Sequence, residues 1–325
     1  MKISIIKKKL FELKDLEIDE ALFLFEEIME GKLNEIDLSA ILISLKIKGE
    51  TKEEIFGAVK IMRSKSLQLA YCENTVDTCG TGGDMLDTLN ISTAASLVAA
   101  SCGVKIAKHG NKSVSSKSGS ADMLEHIGYK ITDQIEELET QLNENNFCFM
   151  FAQYHHTAMK YVINVRRSLG TRTIFNLLGP LLNPANAKNQ LLGVYDKKWL
   201  NTHCETLKDL GSQNVLVVHG CDGLDEITLT DNTFICELKN NSINRYYKDT
   251  VGYPIELHNY PFDKNWNVIN MKSNDVATTI NVPVGNMSHQ KYVGAITLFM
   301  AMSGAFYVFY NIIVVVYINT NFNTV

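Results

Sequence analysis

Short apolar runs alternate with Gly/Ser-rich loops and helical stretches through the part of the chain that follows residue 71. Candidate strands lie at 75–78, 104–107, 147–152, 191–195 and 214–219, and several of them are continuously apolar. Continuous apolar composition is typical of strands covered on both faces, as in parallel sheets. Strands that alternate with helices predict an α/β domain with a mostly parallel central sheet, whose ligand loops lie beyond the carboxyl ends of the strands.

Residues 1–70 have a different pattern, in which apolar side chains recur at helical spacing. Thr51, with Glu54 three positions on, has the spacing of a capping box at the start of a helix. The apolar stripes of this stretch are interpreted as core. The sequence therefore predicts a small N-terminal α-helical domain, 1–70, joined by a later helical segment near 160–185, and a larger α/β domain, 71–325.

Charge and cysteine content exclude several classes of protein. The chain of 325 residues has 31 Lys and Arg against 36 Asp and Glu, a net charge of -5, which argues against a basic footprint for duplex nucleic acid. A local cationic pocket for a phosphorylated small molecule stays possible. The 7 cysteines are scattered and form no CxxC pair, so reduced thiols and a cytoplasmic location are expected.

The loop after the first predicted strand is rich in glycine. Its sequence is DTCGTGGD (77–84), and the segment NIST (90–93) then opens a helix. Glycines let the backbone approach a ligand, and the unpaired N–H groups at a helix start attract an anion. The alternative interpretation is a glycine turn followed by an ordinary helix cap.

The second loop combines cations with short hydroxyl donors. It has the sequence KHGNKSVSSKSGSAD (108–122) and lies between a predicted strand and a predicted helix. Lysine ammonium groups and serine hydroxyls are the donors that a diphosphate requires. A solvated Ser/Lys loop is the alternative.

Two further loops carry acids and arginines. HGCDGLDE (219–226) places Asp225 and Glu226 side by side after a strand, where hard oxygen ligands suit Mg²⁺. The segment RRSLGTRTIFNLLGPLLNP (166–184) offers Arg166, because an arginine can bind a planar carboxylate through two hydrogen bonds. The alternatives are solvated acids in a surface turn and, above all for Arg167, a surface ion pair.

Taken together, these motifs resemble the anthranilate phosphoribosyltransferase family over about residues 15–300. The resemblance implies a helical domain joined to an α/β domain of the nucleoside phosphorylase type. It implies transfer of the phosphoribosyl group from 5-phosphoribosyl 1-diphosphate to the amino group of anthranilate, the second step of tryptophan biosynthesis. It also implies two Mg²⁺ ions per subunit and a homodimer formed through the helical domain.

The same resemblance assigns roles by position. Lys108 and Arg166 are the expected catalytic residues, anthranilate is expected at Gly80, Asn111 and Arg166, and the metal at Ser92, Asp225 and Glu226. The residues expected to bind phosphoribosyl diphosphate are Gly80, Gly83, Asp84, Thr88, Asn90, Ile91, Ser92, Thr93, Lys108, His109, Gly110, Asn111, Lys112, Ser113, Val114, Ser115, Ser116 and Ser120.

Two features depart from the family pattern. Lys112 stands where the family commonly has arginine, which keeps the charge but loses the planar fork. The tail 305–325 is atypical: residues 295–318 contain no charged side chain, and 312–317 have the composition of a strand. Translation past a frameshift accounts for such a tail. A membrane span is the weaker alternative because no basic flank follows it.

Two other functions compete with the transferase. A pyrimidine nucleoside phosphorylase shares the fold and a Lys-Ser-Gly loop pattern, but the acidic pair at 225–226 and the R-x-x-L-G motif favour the transferase. A non-catalytic paralogue that binds nucleic acid is disfavoured by the net charge of -5 and by the intact acidic pair.

Overall fold

The computed structural model describes residues 1–70, 74–84, 86, 90–112, 119–228 and 230–248. Its helices are α1 (Ile3–Phe11), α2 (Ile18–Met29), α3 (Glu35–Lys48), α4 (Lys52–Ser64), α5 (Ile91–Ser101), α6 (Ser120–His126), α7 (Ile135–Asn145), α8 (Ala152–His155), α9 (Ile163–Leu169), α10 (Phe175–Leu178) and α11 (Trp199–Asp209). Its strands are β1 (Val76–Gly80), β2 (Ile106–Gly110), β3 (Phe147–Phe151), β4 (Asn189–Gly193), β5 (Asn214–Gly220), β6 (Thr233–Lys239) and β7 (Ser242–Lys248). The atypical tail 305–325 and the charge-free stretch 295–318 lie outside the described residues.

One seven-stranded sheet forms the centre of the α/β domain, with the order β3-β2-β1-β4-β5-β6-β7. Strands β1 to β5 pair in parallel, and β6 and β7 pair antiparallel at one side. The chain runs outward from β1 through β2 to β3 and then returns to β4 on the other side of β1. The carboxyl ends of β1 and β4 therefore form a topological switch point, where open α/β sheets bind ligands. The predicted fold class is confirmed.

The strand ends differ from the prediction because Cys79 and Gly80 continue one strand and the polar Lys108 and His109 continue another. β1 extends to Gly80 rather than ending at 78, and β2 runs to Gly110 rather than ending at 107. Lys108 and His109 therefore belong to a strand, paired in register with Phe149 and Met150 of β3. Buried polar side chains are tolerated in a strand when hydrogen-bonded partners satisfy them, and neighbours in β1 do so here.

The β6–β7 hairpin was not predicted. Residues 233–239 mix buried with half-buried positions, and the adjacent Ile235 and Cys236 are both buried. Asn240 and Asn241 connect the two strands, with φ angles of 51° and 59°. A two-residue turn with positive φ at both positions is the common short hairpin connection, and asparagine tolerates it. The Asn-Asn pair is the sequence signal for this turn.

The helical domain is built on amphipathic helices and on one buried acid. The capping box predicted at Thr51 and Glu54 is confirmed at the start of α4. The Glu54 carboxylate accepts hydrogen bonds from the backbone N–H groups of Leu16 at 3.0 Å and Thr51 at 2.9 Å. It also accepts one from the Lys48 ammonium at 3.0 Å. A single buried side chain thus joins α4 to the end of α3 and to the segment that precedes α2.

The apolar run 174–182 lies between the two parts of the molecule. Ile174, Phe175 and Leu178 belong to a core cluster that also contains Leu42 of α3 and Val217 of β5. Helix α9, which precedes this run, packs against α3. The connection that carries the arginines is therefore held between the helical bundle and the sheet. Across the residues described, no helix combines the length and apolarity needed to span a membrane.

Candidate active site

Backbone contacts at the switch point bring β1, β4 and the loop after β5 together. The Thr81 N–H donates to the Gly193 carbonyl at 2.9 Å, and the Tyr195 N–H donates to Thr81 Oγ1 at 3.0 Å. A Cβ on Gly193 would lie 1.6 Å from the Asp225 carbonyl oxygen, and one on Gly80 would lie 2.8 Å from Asp225 Oδ2. Glycine at both positions therefore allows the Asp225 loop to seat against the two strand ends.

The glycine-rich loop beyond β1 adopts a conformation that requires glycine. Gly82 and Gly83 have φ angles of 64° and 80°, in the left-handed region. The Gly82 N–H donates to Asp225 Oδ2 at 2.8 Å, and the Arg172 guanidinium donates to the Gly83 carbonyl. The predicted diphosphate loop is thus anchored from two sides.

Three acids crowd the same corner. Burial and the nearby Asp84 carboxylate raise the pKa of Asp225, and burial and Asp225 raise the pKa of Glu226. Asp84 Oδ2 is buried and, among the described residues, has no hydrogen-bond partner. Like charges pressed together in this way indicate a place that favours a cation.

The donor set fits Mg²⁺ that arrives with a phosphorylated substrate. Within the described ranges, no group of three or more His, Cys, Asp and Glu side chains is arranged to hold a metal by itself. Mg²⁺ commonly takes one or two protein carboxylates and completes its shell with water and substrate phosphate oxygens. Asp225 and Glu226 supply the carboxylates, and the unpartnered oxygen of Asp84 lies on the same side of the site.

Lys108 brings a cation to this corner from the end of β2. Its ammonium donates to the Thr78 carbonyl and lies 3.2 Å from Thr78 Oγ1 and 3.3 Å from Ser92 Oγ. The same ammonium lowers the pKa of Glu226, as does the Ser92 N–H, although burial and Asp225 outweigh both. Lys108, Ser92 and the acidic pair are therefore neighbours, although they come from separate parts of the chain.

The starts of α5 and α6 are joined by side chains of the predicted diphosphate residues. Thr93 Oγ1 donates to Ser120 Oγ at 2.9 Å, and Asn90 Nδ2 donates to the Gly119 carbonyl at 3.4 Å. The Ile91 side chain is buried in the core. Any contact of Ile91 with a ligand is therefore made by its backbone.

The residues after Lys108 divide between interior and surface. His109 is buried: its N–H donates to Asp77 Oδ1 at 3.2 Å, and its Nδ1 lies 3.2 Å from Asp77 Oδ2. Burial alone lowers the pKa of His109, but the Cys79 sulfur and the Asp77 carboxylate outweigh it and raise that pKa to about 10. This pairing fits a loop-shaping role rather than proton transfer.

Beyond the strand, Asn111 and Lys112 lie at the surface. Asn111 Oδ1 accepts a hydrogen bond from Gln153 Nε2 at 3.3 Å. The Lys112 ammonium pairs with Glu125 at 2.9 Å. Of the predicted diphosphate residues, Thr88, Ser113, Val114, Ser115 and Ser116 lie outside the described residues.

Arg166 is half-buried on α9 and lies over the Phe175 ring, 5.5 Å from its centroid. Burial lowers its pKa. Among the described residues the Arg166 guanidinium has no ion-pair partner, whereas the neighbouring Arg167 is exposed. A half-buried guanidinium without a carboxylate partner is suited to an anionic ligand.

Sequence reasoning missed several residues that shape this site. Asp77, Thr78, Arg172, Gly193 and Tyr195 hold the loops but were assigned no role. Asp77, Thr78 and Arg172 lie inside the quoted motifs, and Gly193 ends a strand at the switch point. Only their spatial neighbours distinguish them from ordinary residues of a turn.

The fold and site define a two-domain glycosyl transferase. The family model described as "Glycosyl transferase family, a/b domain" matches residues 72–260, and the "helical bundle domain" of the same family matches residues 3–66. A model named PIG-X / PBN1 also matches residues 211–313. The described part of that stretch contains β5, β6 and β7 of the sheet.

Individual relatives show which family of glycosyl transferases the chain resembles. An anthranilate phosphoribosyltransferase of Alkaliphilus metalliredigens (strain QYMF) is 48 % identical over 250 residues, covering 77 % of this chain and 74 % of the relative. One of Marinomonas sp. (strain MWYL1) is 50 % identical over 247 residues, covering 76 % and 71 %. The chain belongs to the anthranilate phosphoribosyltransferase family.

Solved structures agree with this assignment. The anthranilate phosphoribosyltransferase of Thermus thermophilus matches with a TM-score of 0.71 and 31 % identity, covering 97 % of this chain and 99 % of that one. The Saccharomyces cerevisiae enzyme in complex with PRPP and Mg matches with a TM-score of 0.66 and 27 % identity, covering 76 % and 72 %.

Proposed function

We propose that this chain transfers the phosphoribosyl group of 5-phosphoribosyl 1-diphosphate to the amino group of anthranilate, releasing diphosphate. The observation that carries the assignment is the meeting of Asp225, Glu226 and Lys108 at the switch point of the sheet. The names of the relatives support the transferase over a nucleoside phosphorylase and over a nucleic-acid-binding paralogue.

The diphosphate binds between the glycine-rich loop and the start of α5. The start of α5 offers the positive end of its dipole to an anion. Lys108 and Ser92 add an ammonium and a hydroxyl on the same side. Asp225 and Glu226 hold Mg²⁺, which when bound neutralises charge on the leaving diphosphate. The yeast relative, solved in complex with PRPP and Mg, supports the use of Mg²⁺. Two ions per subunit remain part of this proposal, as the family resemblance implies.

The chemistry requires a leaving group rather than a strong base. The aniline nitrogen of anthranilate is a weak nucleophile with little basicity, so its proton need not be removed first. The difficult step is cleavage of the bond between C1 of the ribose and the diphosphate oxygen while positive charge develops at C1. The Lys108 ammonium stabilises the departing oxygen electrostatically, so no covalent nucleophile on the protein is needed.

Anthranilate is held through its carboxylate. Arg166 supplies a half-buried guanidinium that has no carboxylate partner among the described side chains, and Gly80 and Asn111 complete the proposed binding site. A carboxylate fixed by two parallel hydrogen bonds orients the ring, so that the amino nitrogen faces C1. The role of Arg166 is therefore positional as well as electrostatic.

The assay that tests this function measures Mg²⁺-dependent release of diphosphate from phosphoribosyl diphosphate with anthranilate. A parallel reaction with a pyrimidine nucleoside and phosphate tests the phosphorylase alternative.

The double variant Asp225→Asn/Glu226→Gln, which preserves side-chain size, is expected to abolish turnover and to stay folded. Asp222→Asn is the control from the same loop, since its amide oxygen still accepts from Thr228 and Thr230. Full activity of the double variant at low Mg²⁺ contradicts the metal assignment.

The arginine assignment is tested by comparing two neighbours. Arg166→Ala is expected to raise the KM for anthranilate by about tenfold to a hundredfold, the worth of a charged bidentate contact, and to leave the KM for phosphoribosyl diphosphate nearly unchanged. Arg167→Ala, which removes an exposed arginine, is expected to change neither constant. If Arg167→Ala raises the KM for anthranilate and Arg166→Ala does not, the carboxylate-binding role belongs to Arg167.

A homodimer formed through the helical domain is also part of the proposal. Ile36 and Ile47 of α3 are 81 % and 69 % exposed, and their spacing of three helical turns places them on one face. That face lies opposite the buried stripe that contains Ile41 and Leu45. Ile36→Lys/Ile47→Lys is expected to give monomers in sedimentation velocity. Ile127→Lys, at an exposed position of the α/β domain, is expected to leave the dimer intact.

The domain division at 1–70 and 71–325, with a helical connection near 160–185, is retained as a proposal, as is a cytoplasmic location. The described cysteines are free, which agrees with a reducing compartment.

A further inference from the structure

We propose that Arg172 is a positioning residue for the diphosphate loop, which it holds through the Gly83 carbonyl and ties to the connection between the two domains. The inference rests on the proposed function, because it concerns the loop that binds the diphosphate. Arg172 itself need not touch the substrate. Its effect passes through the backbone of the loop.

The contacts of Arg172 are specific to a guanidinium. Its Nη2 donates to the Gly83 carbonyl, and its Cζ lies 4.0 Å from the centroid of the Tyr195 ring. A planar cation stacked on an aromatic face while donating in its own plane is an arrangement that arginine makes and lysine does not. A Cβ on Gly83 would lie 3.1 Å from the same Nη2, so glycine lets the loop approach closely.

Arg172 completes the set of anchors that fix the loop. Thr81 is held by β4 through Gly193 and Tyr195, and Gly82 is held by Asp225. The Gly83 carbonyl receives its hydrogen bond from Arg172. The first two anchors belong to the sheet end, whereas the third comes from a distant connection. Orientation of the loop backbone at its outer end therefore depends on Arg172.

Tyr195 serves two of these anchors at once. Its N–H binds Thr81, and its ring carries the Arg172 guanidinium. The Tyr195 hydroxyl accepts a hydrogen bond from Trp199 Nε1 at 3.2 Å, which orients the ring. Loss of the Tyr195 ring removes the support of Arg172 while the backbone contact with Thr81 stays.

The residue that precedes Arg172 is hydrogen-bonded to the helical domain. The adjacent Thr171 accepts a hydrogen bond from Lys46 of α3. Gly170, with a φ of 57°, ends α9, the helix that carries Arg166. The same short connection therefore links the loop proposed for the diphosphate with the helix proposed for the anthranilate carboxylate.

The test compares Arg172→Ala, Arg172→Lys, Tyr195→Leu and the control Arg167→Ala in the full chain. Steady-state constants for both substrates are measured together with thermal midpoints. Calorimetric titration with phosphoribosyl diphosphate and Mg²⁺, without anthranilate, gives the dissociation constant even in a variant that does not turn over.

Loss of a charge-assisted hydrogen bond predicts that Arg172→Ala raises both the KM and the dissociation constant of phosphoribosyl diphosphate about tenfold or more. The KM for anthranilate and the thermal midpoint are expected to stay close to wild type. Arg172→Lys is expected to restore part of the affinity, because it keeps the charge but loses the planar fork. Tyr195→Leu is expected to raise the same constants by a smaller factor.

Several results overturn the inference. An Arg172→Ala protein that behaves like Arg167→Ala refutes it, as does a rise confined to the KM for anthranilate, which makes Arg172 a substrate contact. If Arg172→Ala unfolds, unchanged affinity in Tyr195→Leu refutes it. A wild-type protein that binds phosphoribosyl diphosphate but does not release diphosphate with anthranilate contradicts the proposed function instead, and the titrations still decide the role of Arg172.

Discussion

The helical domain buries the side chain of Lys48, and the carboxyl end of the sheet buries that of Lys108. The first lysine is paired with carboxylates, whereas the second is hydrogen-bonded to uncharged oxygens. The Lys48 side chain, 3 % exposed, pairs with Asp15 at 2.8 Å and with Glu54 at 3.0 Å. Burial alone lowers the pKa of Lys48, but the two carboxylates raise it above its ordinary value. Lys108, 1 % exposed, has only uncharged hydrogen-bond partners among the described residues: the carbonyl and hydroxyl of Thr78 and the hydroxyl of Ser92.

The difference supports a structural role for Lys48 and the proposed functional role for Lys108. A buried ammonium bound directly to carboxylates is already neutralised and stabilises the native state only as part of that pair. An ammonium held by neutral oxygens keeps its charge available for an incoming anion. If Lys108 binds the diphosphate as proposed, its unfavourable burial is offset when the phosphorylated substrate binds.

The largest expected effect is that of Lys108→Met on catalysis. Removal of one preorganised donor to a developing charge commonly lowers kcat by about 100- to 1,000-fold, or about 2.7–4 kcal/mol. The free energy of unfolding is expected to stay the same or to rise, because methionine fills the volume without a buried charge. Stopped assays and urea denaturation measure the two quantities. Lys105→Met, at a lysine whose ammonium contacts Asn143 at 3.4 Å, is the control.

Lys48→Met is expected to give the opposite pattern. It leaves the Glu54 carboxylate buried without its ammonium, which costs about 3 kcal/mol of unfolding free energy, at the lower end because two backbone donors remain. Activity per folded molecule is expected to be unchanged. Asp15→Asn, which alters the more exposed partner, is expected to change stability by less than about 1 kcal/mol. Loss of activity in Lys48→Met without loss of stability contradicts the structural role of Lys48.

A third prediction concerns the buried pair formed by His109 of β2 and Asp77 of β1. The pKa of His109 in the folded state, about 10, lies above its ordinary value, so the charged histidine stabilises the fold fully below about pH 6.5. That stabilisation is lost as the pH rises toward 10, by up to about 1.4 kcal/mol per pH unit.

His109→Gln is expected to remove this dependence. Denaturation curves of wild type and variant between pH 6 and 10 are predicted to converge as the pH rises. His126→Gln, at an exposed histidine of α6, is the control. Parallel curves for wild type and His109→Gln show instead that the histidine is neutral in the folded protein.

The smallest expected effect is at the capping box. Thr51→Ala removes the hydroxyl that accepts from the Glu54 N–H at 3.3 Å and is expected to cost about 1 kcal/mol. Thr51→Ser is expected to restore most of that loss. Both variants are expected to keep wild-type kinetics, because the capping box lies in the helical domain and has no proposed contact with a substrate. The thermal midpoint and the two KM values provide the check.

The sequence predicted the fold well where a pattern is local. Apolar runs identify several of the strands from β1 to β5 because strands buried on both faces require them, and the capping box at Thr51 follows from two residues three positions apart. The ends of β1 and β2 were misplaced because Gly80 is typical of a turn and because Lys108 and His109 are unusual in buried strands. Thr78 and Asp77 satisfy the last two of these, and no local pattern reveals that pairing.

The site was predicted in its parts but not in its assembly. Asp225 and Glu226 are adjacent in the chain, so their pairing was evident, whereas the crowding by Asp84 depends on two loops meeting at the switch point. Arg172 is one of three arginines in a single motif. Its contact with Gly83 depends on tertiary structure, and sequence reasoning had no means of ranking it.

The hydrogen bond from Trp199 to Tyr195 has an optical consequence. The chain contains 2 tryptophans, and the second, Trp266, lies outside the described residues. Replacing Trp266 by phenylalanine leaves one indole, whose N–H is bonded to the tyrosine that carries Arg172. Indole emission responds to hydrogen bonding and to nearby charge. Binding of phosphoribosyl diphosphate to the loop that Arg172 contacts is therefore expected to change the emission of Trp199, which follows the binding in real time without a label.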